Sequence, residues 1–112
     1  MNIRNILILT LLAFSLYACS KPVPPEKSDY VGAWREKNMN LLINQDGSVQ
    51  YERKKGNETT TINAPIKKFD GDNIEVGIGP ASTVFIVSKP PYQDGNAWKM
   101  VVDGVELTKT SK

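Results

Sequence analysis

The chain has 112 residues, with 14 basic and 12 acidic side chains and a formal charge of +2. Both signs are interspersed along it, so it lacks the basic stripe that a nucleic-acid partner requires. One Cys and no His exclude an intrachain disulfide, the usual Cys/His zinc sites and the Ser-His or Cys-His pairs of nucleophilic catalysis.

Residues 1–18 read MNIRNILILTLLAFSLYA. A short n-region carries Arg4, and the uncharged run 6–16 follows. A bilayer-spanning helix needs about 20 apolar residues, so this run has the dimensions of a signal-peptide h-region instead. Leu16-Tyr17-Ala18-Cys19 then resembles the lipobox of bacterial lipoproteins: an aliphatic residue at −3, a small one at −1 and the Cys, with Tyr17 departing from the small or aliphatic residue usual at −2. The resemblance implies that the Cys19 thiol takes a diacylglyceryl group, that the leader is cut before it, and that the new amino group is acylated. The membrane is then a partner through the lipid on Cys19. Each buried methylene contributes about 0.8 kcal/mol, and two or more chains hold stably. In Gram-negative relatives an Asp after the Cys favours inner-membrane retention. Ser20 stands there, which implies an outer-membrane anchor with the body facing the periplasm.

Residues 19–28 form a tether containing Pro22, Pro24 and Pro25. Proline fixes φ and removes a donor, so an extended, semi-rigid spacer is expected. The remaining span, 29–112, is long enough for one domain and not for two.

That body reads as all-β. Asp46-Gly47, Gly56-Asn57, Asp70-Gly71, Asp94-Gly95 and Asp103-Gly104 supply the residues tolerant of positive φ that tight turns need. Between them, apolar side chains alternate: Met39, Leu41 and Ile43; Val49 and Tyr51; Ile74, Val76 and Ile78; Trp98, Met100 and Val102. The stretches 58–62 and 83–87 are β-branched. The expectation is a small antiparallel meander, as a compact barrel, half-barrel or sandwich. Gly32-x-Trp34 resembles the opening of lipocalin-type barrels, where the Trp plugs the barrel base. The chain has about half a lipocalin's length, so its interior is expected to be filled by its own side chains. Alternation turns Trp34, Leu41, Ile43, Val49, Tyr51, Ile74, Val76, Phe85, Trp98, Met100 and Leu107 inward.

Pro90, Pro91 and Tyr92 lie in a segment, 89–95, that resists helix and ladder pairing and is expected to be a surface loop. Exposed Pro/Tyr loops often recognise partners, which makes these three the candidate binding residues. The competing expectation is a wide hairpin connection with Tyr92 folded back over the core edge. Asp70-Gly71-Asp72-Asn73 lacks the spacing of a calcium loop and reads as a hairpin turn. Glu36, Glu52 and Glu75 point outward, away from any dry pocket that would tune an acid pair. Arg53-Lys54-Lys55 and Lys67-Lys68 read as solvated charge, and Ser82-Thr83 has no base to activate it.

No enzyme activity, metal or cofactor is therefore expected. The leading expectation is an envelope lipoprotein that binds a protein partner. A shortened lipocalin-type binder of a small hydrophobic ligand, and an immunity or exclusion lipoprotein, are the alternatives.

Overall fold

The computed structural model describes residues 21–111. The leader, Cys19 and Ser20 lie outside them. The described chain enters through a 3-10 turn, Pro25–Tyr30, and then forms nine strands: β1 (Gly32–Glu36), β2 (Met39–Ile43), β3 (Ser48–Lys55), β4 (Glu58–Asp70), β5 (Asn73–Ile78), β6 (Ala81–Phe85), β7 (Val87–Asp94), β8 (Ala97–Val102) and β9 (Val105–Ser111). All pairings are antiparallel, in the order β6-β5-β4-β3-β2-β1-β9-β8-β7. The domain is the expected all-β meander, curled into a half-barrel.

Six of the links between strands are two residues long, the length that holds a hairpin in register. In the β8–β9 link both central residues have positive φ, Asp103 at 50° and Gly104 at 81°, the conformation of a type I′ turn. Chain neighbours pair throughout, with one exception. β6 and β7 are joined through Ile86 alone, yet they stand at opposite ends of the sheet. The barrel is therefore closed between β1 and β9 and split along a β6/β7 seam.

Alternation buries one face of each strand, as in β2 (Met39, Leu41, Ile43) and β5 (Ile74, Val76). These side chains form one core around Trp34, which has no exposed surface. Trp98, expected fully inside, is only partly buried against that core. Val23, Tyr30, Met39, Ile66, Val87 and Val102 complete the interior.

Two further expectations are corrected. The first is the tether, which docks on the domain from Lys21 onward. Val23 is buried, its N–H donates to the Gln45 carbonyl (2.9 Å), and the Gln45 side-chain amide donates to the Val23 carbonyl (3.1 Å). Pro25 stands in the first turn of the 3-10 segment, where a missing N–H costs nothing.

The second is the 89–95 loop, which is instead most of β7. Tyr92, Gln93 and Asp94 pair with Lys99, Trp98 and Ala97. The register shifts between Val87 and Lys89 and again between Lys89 and Tyr92. Proline is admitted to a ladder only at an edge or a bulge, and β7 offers both.

A candidate interaction surface

The β5–β6 hairpin turns through Gly79-Pro80, with Ile78 opposite Ala81 and Val76 opposite Thr83. Ile74, Val76 and Phe85 are buried where the hairpin meets the core, whereas Ala81 through Val84 are exposed. Ile78 is 68% exposed, Ile86 50% and Val84 44%, and these are the exposed large hydrophobics among the described residues. Isolated surface aliphatics are ordinary; here Val84 and Ile86 share the outward face of β6 and its exit, and Ile78 ends the opposite row at the hairpin tip.

Backbone geometry at the seam fixes which way β6 presents its peptide groups. The Val87 N–H donates to Asn73 Oδ1 at 2.8 Å, toward β5. One residue earlier the direction reverses: the Ile86 N–H donates to Asp103 Oδ1 (2.8 Å), and the Ile86 carbonyl accepts from the Asp103 N–H (2.7 Å). Asp103 thus serves Ile86 as a one-residue stand-in for a strand. Since peptide groups alternate along a strand, those of Ser82 and Val84 face the same way as those of Ile86, off the sheet. Beside them no strand is paired.

The other edge is built differently. Lys89, Pro90 and Pro91 occupy β7, and Pro90 and Pro91 have no N–H to offer. Charge, proline and bulges are the usual devices that stop a sheet edge from recruiting another strand. β6 (ASTVF) carries none of them.

Tyr92 lies half-buried on β7, and its hydroxyl donates to Glu106 Oε2 at 3.0 Å. Lys99 holds the other Glu106 oxygen at 3.4 Å, and the Lys89 ammonium sits 5.9 Å from the Tyr92 ring centre. The Tyr92 hydrogen bond, then Lys99, holds the Glu106 carboxyl below its ordinary value, while the Glu106 hydrogen bond raises the Tyr92 phenol. The ring is tied down across the β7–β8–β9 face by polar partners and is not packed against the core cluster. Pro90 is exposed beside it and Pro91 half-buried.

Open clefts flank the sheet. One, about 430 Å³, lies against β1–β4 and is lined by Arg35, Asn40, Leu42, Gln50, Glu52 and Thr61 among others. Another, about 530 Å³, lies under the docked N-terminal segment between Val23, Lys27, Ile66 and Phe69. Lys27 donates to the Gly71 carbonyl (2.8 Å) and lies over the Tyr30 and Phe69 rings, so its charge is engaged within the fold. The Asp70–Asn73 segment is spent on structure as well: the Tyr30 hydroxyl donates to the Asp72 carbonyl (2.9 Å), and Asn73 holds β7.

The structure thus separates the candidate residues. Pro90, Pro91 and Tyr92 lie on the protected edge, Cys19 lies outside the described residues, and the exposed aliphatic surface is on β5–β6. Sequence reasoning missed Ile78, Val84 and Ile86, although a signal was present. From Val76 to Ser88 there is no charged residue, the longest such run in the body of a chain that is 23% charged. No family model matches the chain, and neither a curated protein nor a solved structure matches it.

Proposed function

We propose that this chain is an envelope lipoprotein, anchored to the outer membrane through Cys19, whose β domain is a non-enzymatic module that binds a protein partner. The observation that carries the binding reading is the uncharged β5–β6 hairpin, which exposes Ile78, Val84 and Ile86 beside an open sheet edge. Exposed apolar surface next to unpaired strand edges suits protein association. The lipobox-like Leu16-Tyr17-Ala18-Cys19 supports the anchor.

A small-ligand carrier fits the geometry less well. The centre of the half-barrel is occupied by fully buried Trp34, Phe85, Met39, Leu41, Ile43, Ile74, Met100 and Leu107, where a carrier needs an internal cavity of roughly 300 Å³ or more.

Site-specific photocrosslinking in intact cells tests the reading. A photoreactive residue at Val84 is expected to give a discrete protein adduct, and one at exposed Gln50, on the β1–β4 face, is expected to give none. Equal labelling from both positions, or none from Val84, would remove the support for protein binding at this face.

A further inference from the structure

We infer that the partner is bound as an extended strand added to the β6 edge, through main-chain pairing with Ser82 and Val84; this deepens the protein-binding reading and rests on it. Three observations converge on that mode. The seam leaves β6 with no neighbour on one side, and alternation from the Ile86–Asp103 pair directs the Ser82 and Val84 peptide groups into the gap. Asp103 already makes, at Ile86, the two hydrogen bonds an added strand would make two residues earlier. The molecule also protects one edge and not the other: β7 carries Lys89, Pro90, Pro91 and two register shifts, and β6 is a regular, uncharged strand.

The same features define the occupant. Strand addition draws affinity from the backbone and selectivity from alternate side chains. The strand Ala81–Phe85 is itself uncharged, and the charged groups nearest it are engaged within the fold, Asp103 on the Ile86 N–H, Lys67 on the Gly79 carbonyl and Glu75 on Lys68, so a charged segment would lose solvation with no free counter-ion to meet. The exposed side chains lie on both faces. Val84 and Ile86 are outward, opposite the buried Val76 and Phe85 face, while Ile78 continues the inward row of Ile74 and Val76. The segment that fits is therefore neutral, free of proline at its pairing positions, and about five residues long to match Ala81–Phe85, with β-branched or aliphatic residues on both faces. It belongs to another protein. Pairing of β6 with a second copy of this chain is the competing occupant.

The probe is an acetylated, amidated heptapeptide alternating valine and threonine, added to the isotopically labelled full-length chain in a non-ionic detergent. Saturable amide shifts at Ser82 and Val84, with slowed exchange of their N–H groups, are the expected result. The variant Ser82→Pro removes one outward donor and leaves the β5–β6 ladder intact. It is expected to weaken binding at least tenfold while the melting curve is unchanged, as is N-methylation of alternate peptide residues. Shifts confined to β7 or to the Tyr92 face, or equal binding by Ser82→Pro, would overturn the inference. So would a dimer in sedimentation equilibrium that Ser82→Pro dissociates, since β6 would then belong to a second copy. If the peptide fails to bind while Val84 still crosslinks a protein in cells, strand addition falls and protein binding stands.

Discussion

Trp34 has no exposed surface, and its indole N–H is satisfied by the Tyr30 carbonyl at 2.8 Å. The Lys109 ammonium lies 4.9 Å from its ring centre and 5.4 Å from that of Trp98. Truncating a buried Trp costs about 3–5 kcal/mol, much of the stability of so small a domain. Trp34→Ala is expected to fall in that range in urea unfolding, and Trp98→Ala to cost only about 1–2 kcal/mol, because its ring is half-open. Period-2 alternation reads the face of a side chain but not its depth. Trp98 sits on β8, next to the sheet end at β7, where no further strand covers it. Val23 was illegible for a different reason: a Pro-rich segment has no periodicity, and its burial depends on a turn more than 20 residues away.

Tyr30 gives a pH signature at the same scale. Burial, then the nearby Asp72 charge, pushes its phenol up to about 12. The unfolded chain therefore releases this proton near pH 10 and the folded domain holds it longer, so the contribution is complete below pH 10 and is lost as pH rises toward 12. Melting temperature should drop across that window, and Tyr30→Phe should flatten the drop. An equally steep profile in Tyr30→Phe would show that another group governs it.

At the level of elements, positions with pure alternation and a tight turn were readable: β2, β3, β5 and β8 follow from Met39–Ile43, Val49 and Tyr51, Ile74–Ile78 and Trp98–Val102. β7 was not, because proline argues against a ladder unless its edge position is known, and edge position is a property of the whole sheet. The split of 83–87 into the end of β6 and the start of β7 was hidden likewise, since the corner at Ile86 depends on Asp103 holding Ile86 and on Asn73 holding Val87. Asp103→Ala removes one of those bonds and places Ala at positive φ, which should cost about 1–3 kcal/mol and speed amide exchange at Ile86. The N-terminal dock can be tested at Gly47. It has φ +91°, and a Cβ built there would lie 1.9 Å from the Lys21 carbonyl oxygen. Gly47→Ala is expected to destabilise by about 1–3 kcal/mol and to expose the 21–24 segment to protease, with β2–β3 pairing retained.

On the scale of the molecule, the proposed lipid anchor, Cys19, lies outside the described residues, and it is tested by itself. Cys19→Ala should move the protein out of the membrane fraction; retention in the pellet after a high-salt wash would contradict the anchor. The all-β meander was legible because its turns and alternation are local, while the seam was not, since it arises from the failure of two chain neighbours to pair. That failure is what the functional account depends on. Residue-resolved hydrogen exchange of the purified protein tests it most directly. An open β6 edge predicts slow exchange at Thr83 and Phe85, whose N–H groups face β5, and fast exchange at Ser82 and Val84, whose N–H groups face the gap. Uniform protection from Ser82 through Phe85 in the isolated protein would mean that the edge is already paired, and would contradict the account.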